Sequence, residues 1–332
     1  MKHFRFAIMG AGGIAVKFCE AVRVMGSRNQ QGESSPEVCE ICAVASKSIT
    51  RAQDFAEKNG IAHFYDSYEQ MLEMEKPDCV YIAVTPNDHY RLTMLCIEHA
   101  TPVLCEKAMF QSGAEARMAF AAAEENHVFV MEALWSRYLP AVRKVKQWLE
   151  EGKTGVPEIV QCMIGFAAPQ GKNNRYFSAE LGGGAAKDIT VYAYEITEFL
   201  LNQEIRKIYT SALWSETGVD VVNHVSIEFE YTLADLTTSF LNRLEEKMVI
   251  YGEKGKIVLP HPHFASECML YDEQGNLSEH YTDDRTQNGF VYEIEDVMRC
   301  IRENRIQSRI VPWKDTLACA ELFDRLELTR TQ

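Results

Sequence analysis

Asp188 and Tyr192 stand four residues apart just after the run Gly182-Gly-Gly184, a spacing that suits chemistry needing a carboxylate and a phenol side by side. Three consecutive glycines make a poor helix interior but suit a tight turn where backbone must come close to something. The stretch from Ala185 to about Ile196 reads as helix, which puts Asp188 and Tyr192 on one face. Taken alone, the pair also describes a solvated acid and a half-buried phenol on an ordinary amphipathic helix. Two further constellations, Gly10-x-Gly12-x-x-Ala15 and Glu106-Lys107, tip the reading toward hydride transfer.

Gly10-Ala-Gly-Gly-Ile-Ala15 follows an apolar strand and opens a helix, the context in which a glycine fingerprint carries meaning. Gly10 permits the sharp turn and Gly12, with Gly13 and Ile14 after it, leaves backbone free to approach a pyrophosphate. The small Ala15 lets helix and strand pack closely, with the diphosphate on the helix N-terminus. At the end of the second strand an NAD enzyme carries Asp or Glu for the ribose hydroxyls; this chain has Ala45-Ser46-Lys47-Ser48, with Arg51 one turn on. Hydroxyl and cation attract a 2′-phosphate that an acid would repel, so NADP is the expected cofactor, with NAD the alternative.

The elements that must position these residues follow from apolar patterning. Apolar runs at Phe4–Met9, Glu40–Ala45, Cys79–Val84 and Val103–Cys105 alternate with helical patterns starting near Ile14, near Thr50 and after His89. This alternation predicts a doubly wound parallel sheet of the Rossmann type over residues 1–125. The polar stretch Ser27–Pro36 reads as a loop insertion, which accounts for the long separation of Gly12 from Ser46. Over residues 126–332 the alternation lengthens, at Glu158–Phe166, Val221–Phe229, Asp235–Asn242, Met248–Tyr251 and Lys256–Leu259. It predicts an α+β domain with a large, mostly antiparallel sheet, one face buried; this second domain is expected to bind substrate and, should its other face be apolar and uncovered, to dimerise through it. Gly252-Glu-Lys-Gly255 and Asp272-Glu-Gln-Gly275 mark hairpin turns, and Asp315–Leu328 a closing helix.

Composition narrows the partners. A chain of 332 residues argues for two domains, and a formal net charge of -14 argues against nucleic acid or anionic membrane as partner. No apolar run approaches the ~18 residues of a membrane span and no secretory leader precedes Phe4, which predicts a cytoplasmic protein. Ten cysteines lie scattered without a framework, as reduced thiols do. Cys39-x-x-Cys42 falls within a strand and has no second ligand pair, so no metal site is expected and the two are read as plain buried cysteines.

Four landmarks then occur in a familiar order: Gly10-x-Gly12-x-x-Ala15, Val80-Tyr-Ile-Ala-Val-Thr-Pro-Asn87, Val103-Leu-Cys-Glu106-Lys107 and Gly182-Gly-Gly-x-x-x-Asp188-x-x-x-Tyr192. Together they resemble the Gfo/Idh/MocA oxidoreductases over essentially the whole chain. Met131-Glu-Ala-Leu-Trp-Ser-Arg-Tyr-Leu-Pro140 looks most like the branch of dimeric dihydrodiol and NADP-linked D-xylose dehydrogenases. The resemblance implies that Lys107, Asp188 and Tyr192 line the nicotinamide, with Thr85, Pro86, Asn87 and Glu106 along the cofactor. His89 matches a family histidine only if one residue is deleted after Asn87.

An alcohol gives up a hydride only as its hydroxyl proton leaves, so a proton acceptor must lie within hydrogen-bond reach. Tyr192 is that candidate, and a cation such as Lys107 favours its phenolate; Asp188 would hold a substrate hydroxyl. Trp135 would offer a ring an apolar wall or fill the core, Arg137 would touch substrate or bridge domains, and Tyr176 joins them as a substrate candidate. The family usually has proline after the lysine, often through a cis bond; Ala108 stands here, so either a non-proline bond keeps that geometry or the loop is remodelled. The expected activity is an NADP-dependent oxidoreduction of a sugar, polyol or cyclic diol by a homodimer or higher homo-oligomer. Its rivals are a non-catalytic nucleotide- or sugar-binding regulator and a redox-neutral glycosidase that retains NAD.

Overall fold

The computed structural model describes residues 3–30, 38–169, 171 and 174–331. The chain divides into two compact units, the first built from Met1–Phe110, Ala114–Trp135 and Gln287–Thr316, the second from Gln111–Gly113, Ser136–Thr286 and Leu317–Gln332.

The first unit is a six-stranded sheet of β1 (Phe4–Met9), β2 (Cys39–Ala45), β3 (His63–Tyr65), β4 (Cys79–Ile82), β5 (Val103–Glu106) and β6 (Val130–Ala133). The order is β3-β2-β1-β4-β5-β6 and every neighbouring pair is parallel. Strands β4, β5 and β6 are buried at every position, which is why they read as short continuous apolar runs rather than alternating ones. Helices α1 (Gly13–Gln30), α2 (Ile49–Asn59), α3 (Tyr68–Glu75), α4 (His89–Glu98) and α5 (Gly113–Glu125) follow in turn.

Four of the strands lie where the apolar runs put them; β3, three residues long and mostly exposed, gave no such run, and β6 lies past the last of them. The expected insertion at Ser27–Pro36 is helical as far as Gln30, with Ser27 Oγ donating back to Arg23 O at 3.1 Å in the last turn of α1. Residues 31–36 of that insertion lie outside the described residues. A boundary at residue 125 falls before β6, which is hydrogen-bonded into the parallel sheet, so the first unit extends past it. Cys39 and Cys42 are both buried, and burial pushes their thiols up to about 12 and about 11.

The second unit starts with α6 (Pro140–Glu150) and carries an eight-stranded sheet. Its strands are β7 (Pro157–Gly165), β8 (Ile205–Trp214), β9 (Asp220–Phe229), β10 (Leu233–Ser239), β11 (Lys247–Gly252), β12 (Gly255–Pro260), β13 (Glu267–Asp272) and β14 (Leu277–Thr282). Their order is β14-β13-β12-β11-β7-β10-β9-β8, antiparallel except where β10 runs parallel to β7. The expected strand at Asp235–Asn242 lies at Leu233–Ser239, since its partner β9 ends the pairing at Val222. The turns at Gly252–Gly255 and Asp272–Gly275 close the β11–β12 and β13–β14 hairpins.

Helix α7 (Val191–Leu201) packs on β7 and β10 and α6 on β12, β13 and β14, covering the face that buries Val160, Cys162 and Ile164. The opposite face is not simply apolar, as expected, but mixed: Ile159, Leu233 and Tyr251 share it with Gln161, Asp235 and Thr237. After it α8 (Phe290–Arg302) belongs to the first unit, and α9 (Trp313–Leu328) is the last described α-helix, followed by a 3-10 turn at Thr329–Thr331. Among the described residues no helix is long and apolar enough to cross a membrane.

Candidate active site

In the first unit the turn after β1 is built around Gly10. Its φ of 113° lies in the left-handed region, and a Cβ there would stand 2.4 Å from Ala83 O. The turn is pinned to the sheet by Gly10 N donating to Ala45 O at 2.8 Å. Among the described residues, a side chain at Gly13 would meet nothing within 4 Å, which leaves open space beside that position at the start of α1. No acidic residue stands in that first turn, and Ala15 is fully buried beneath it. Free backbone N–H groups at the positive end of an 18-residue helix fit the diphosphate of a dinucleotide. Ile14 is partly exposed on the same turn.

At the end of β2, Ser46 is buried and Ser48 caps α2 by accepting from Arg51 N at 3.4 Å. Lys47 is not a lone cation. Its Nζ lies 2.5 Å from Asp88 Oδ2, and Arg91 Nε donates to Asp88 Oδ1 at 3.3 Å. The acid missing from β2 is thus supplied by the turn after β4. Burial alone would raise Asp88, but the hydrogen bonds and charges of Lys47 and Arg91 outweigh it and hold the carboxyl below its usual range. Asp88 and Arg91 were not singled out in the sequence, although they sit next to the Thr85-Pro86-Asn87 landmark.

Thr85 precedes a single 3-10 turn, Pro86–Asp88, with Asn87 exposed at its tip. His89 is not presented there. It is fully buried, with Nδ1 2.9 Å from Ala108 O and Nε2 3.1 Å from Val84 O, so it braces the Lys107 loop from beneath. Burial holds its ring below the usual histidine value. The Lys107–Ala108 bond is cis, the geometry that the family's proline would give. Glu106 is buried and accepts from Tyr81 Oη; burial first of all raises its carboxyl to about 6. Glu132 accepts from Met109 N at 2.9 Å and from Thr316 Oγ1 at 2.8 Å, which fixes the far side of the same loop. Trp135 is half-buried, edge-on to Phe290 at 5.3 Å.

In the second unit the glycine run is demanded by close approach. A Cβ on Gly184 would stand 2.3 Å from Asp220 Oδ1, and the chain enters a π-helical turn, Ala186–Thr190, immediately afterwards. Val191 N donates to Ala186 O five residues back, so Asp188 lies on the wide turn and Tyr192 at the start of α7. Asp220 Oδ2 takes hydrogen bonds from Ala186 N and Asn223 Nδ2, both at 2.6 Å. Thr190 Oγ1 lies 2.7 Å from Thr238 Oγ1 and accepts from Asn223 at 3.1 Å. This buried polar cluster holds the turn to the sheet; no local signal in the sequence marks it.

Asp188 is half-buried with Arg175 Nη1 3.4 Å from its Oδ1, and the Arg175 guanidinium lies 4.2 Å over the Tyr176 ring. Tyr176 packs on Phe166 and Phe240 at 5.6 and 5.3 Å, an aromatic surface suited to the flat face of a ring. Tyr192 is buried to its last tenth, its ring 5.3 Å from that of His263. Arg175 and His263 were not anticipated. Arg137 is completely buried, paired with Glu195, 3.9 Å from Glu198 and 5.4 Å over Phe199.

One unit with a Rossmann sheet and a glycine turn at the head of α1, and another with a mostly antiparallel sheet, are the architecture in which nucleotide-dependent oxidoreductases are found. The model of an oxidoreductase family with an NAD-binding Rossmann fold matches residues 4–134, and that of the GFO/IDH/MocA C-terminal domain matches residues 142–258. The chain belongs to the Gfo/Idh/MocA family and is a dehydrogenase or reductase acting on CH–OH groups. It is 29% identical to trans-1,2-dihydrobenzene-1,2-diol dehydrogenase of Danio rerio, covering 96% of this chain and 95% of that protein. It is 28% identical to D-xylose 1-dehydrogenase (NADP(+)) of Hypocrea jecorina, covering 96% and 90%. Levoglucosan dehydrogenase in complex with NADH and levoglucosan shares the fold with a TM-score of 0.88 at 16% identity, covering 99% and 98%. A 3-ketoreductase of Actinomadura kijaniata in complex with NADP and TDP-benzene does so with a TM-score of 0.85 at 20% identity, again covering 99% and 98%.

Proposed function

We propose that this protein is an NADP-linked dehydrogenase of a secondary alcohol on a sugar, polyol or cyclic diol, working as a homodimer. The observation that carries the cofactor choice is the end of β2, where Ser46, Lys47 and Ser48 follow Ala45 in place of a carboxylate. The substrate class rests on relatives along the whole chain that act, by name, on a dihydrodiol and on D-xylose. Ten buried thiols speak for a reducing compartment such as the cytoplasm.

Gly10, Gly12, Gly13 and Ala15 hold the diphosphate, Ser46, Lys47 and Arg51 the 2′-phosphate, and Thr85, Pro86, Asn87 and Glu106 the remainder. A nicotinamide held there supplies the hydride acceptor or donor. Tyr192 takes the hydroxyl proton, Lys107 supplies the cation that favours the ionised phenol, and Asp188 receives a substrate hydroxyl. Trp135 and Tyr176 offer aromatic surface to the substrate ring. A panel of aldoses, inositols and trans-diols, followed at the nicotinamide absorbance with both cofactors, tests the reading. Turnover with NADP and one of these classes is expected; turnover with none of them refutes it.

A further inference from the structure

Lys47, one of the two cations expected to receive a 2′-phosphate, already has an anion. Asp88 is largely buried, at 15% side-chain exposure, whereas Lys47 and Arg91 around it are 67% and 55% exposed. Lys47 Nζ lies 2.5 Å from one carboxylate oxygen, and Arg91 reaches the other through Nε at 3.3 Å and Nη2 at 3.4 Å. Tyr68, half-buried, belongs to the same cluster. Burial raises its phenol, and Lys47, Asp88 and Arg91 are all close enough to perturb it.

The cluster has two cations to one carboxylate. A phosphate monoester of charge about -1.5 to -2 draws on both cations but is repelled by the acid between them. A ribose hydroxyl, by contrast, finds in a carboxylate its usual acceptor. One side chain therefore weakens the phosphorylated cofactor and favours the unphosphorylated one. We propose that Asp88 is a cofactor-selectivity residue, its carboxylate competing with the 2′-phosphate for Lys47 and Arg91 and so limiting the preference for NADP over NAD. The inference rests on the assignment of the β2 end to the 2′-phosphate.

Two probes separate the parts, 2′,5′-ADP, which carries the phosphate, and 5′-AMP, which lacks it. Calorimetric titration of the full chain gives the ratio of their dissociation constants for the unmodified protein and for Asp88→Asn. The substitution is expected to move the ratio at least tenfold toward 2′,5′-ADP. In a Lys47→Ala background the same substitution is expected to move it by much less, because one of the contested cations is gone.

An unchanged ratio, or a shift toward 5′-AMP, in Asp88→Asn overturns the inference and would make Asp88 a support that aims Lys47. If the unmodified protein prefers 2′,5′-ADP while Asp88→Asn leaves the ratio as it was, only the role of Asp88 falls. If neither protein distinguishes the probes, the 2′-phosphate assignment falls with it. A ratio near one that moves toward 2′,5′-ADP only in Asp88→Asn upholds the masking and refutes NADP preference in the unmodified protein.

Discussion

Asp220 accepts the backbone N–H of Ala186 at 2.6 Å, at the point where the chain enters the π-helical turn that carries Asp188. The acid lies on β9, so one strand of the sheet sets the start of a turn 34 residues earlier. Asp220→Ala leaves the Ala186 and Asn223 donors buried without their acceptor, a loss of about 1–3 kcal/mol. The denaturant midpoint is expected to fall accordingly and turnover to fall more steeply, while Asp220→Asn, which keeps one acceptor oxygen, retains most of both.

Tyr192→Phe removes the proposed proton acceptor and keeps the ring that packs near His263. Turnover is expected to drop about 100-fold or more, the scale of a lost proton-transfer group. Fluorescence titration of the reduced cofactor should be little altered. Near-normal turnover would move the proton to another group.

Lys47→Ala removes a charge-assisted contact of about 1.5–3 kcal/mol, so affinity for NADPH is expected to fall roughly tenfold or more, with little change for NADH. Equal binding of both cofactors by the unmodified protein would contradict the premise.

Glu106, raised by burial from 4.5 to about 6, binds its proton more tightly in the folded chain than in the unfolded one. Its stabilising contribution is full below about pH 4.5 and is lost as pH rises to about 6, a change of about 2 kcal/mol. Glu106→Gln cannot titrate, so its stability relative to the unmodified protein is expected to rise across that window. Chemical denaturation at pH 4.5 and 7 measures the difference; parallel curves would refute it.

The uncovered sheet face, with Ile159 and Tyr251 on adjacent strands, is expected to meet a second copy of the chain. Sedimentation should give a dimer at micromolar concentration, and Ile159→Lys with Tyr251→Lys should shift it toward monomer.

What could be read in advance follows from how local each cause is. β1, β4 and β5 were legible because strands buried on both sides repeat one residue class, and Gly10 because its turn answers to a short motif. β8, half exposed at every second position and never fully buried, offered no such pattern. The π-helical turn was hidden for a different reason: Thr190, Asn223, Thr238 and Asp220 meet only after folding. Lys47 was recognised as a cation, but its partner Asp88 lies 41 residues away, and separation in sequence conceals a pairing.

Arg137 and Glu195, paired at full burial in the second unit, carry a consequence for inheritance. Replacing Arg137 alone leaves the Glu195 carboxylate buried without that guanidinium, at about 3–5 kcal/mol, and replacing Glu195 alone leaves Arg137 with Glu198 at 3.9 Å in place of its short partner, whereas an apolar pair of matching volume is tolerated. Among descendants of this chain the two positions are therefore expected to change in concert, and a lineage that exchanges only one must first cross a poorly folding ancestor.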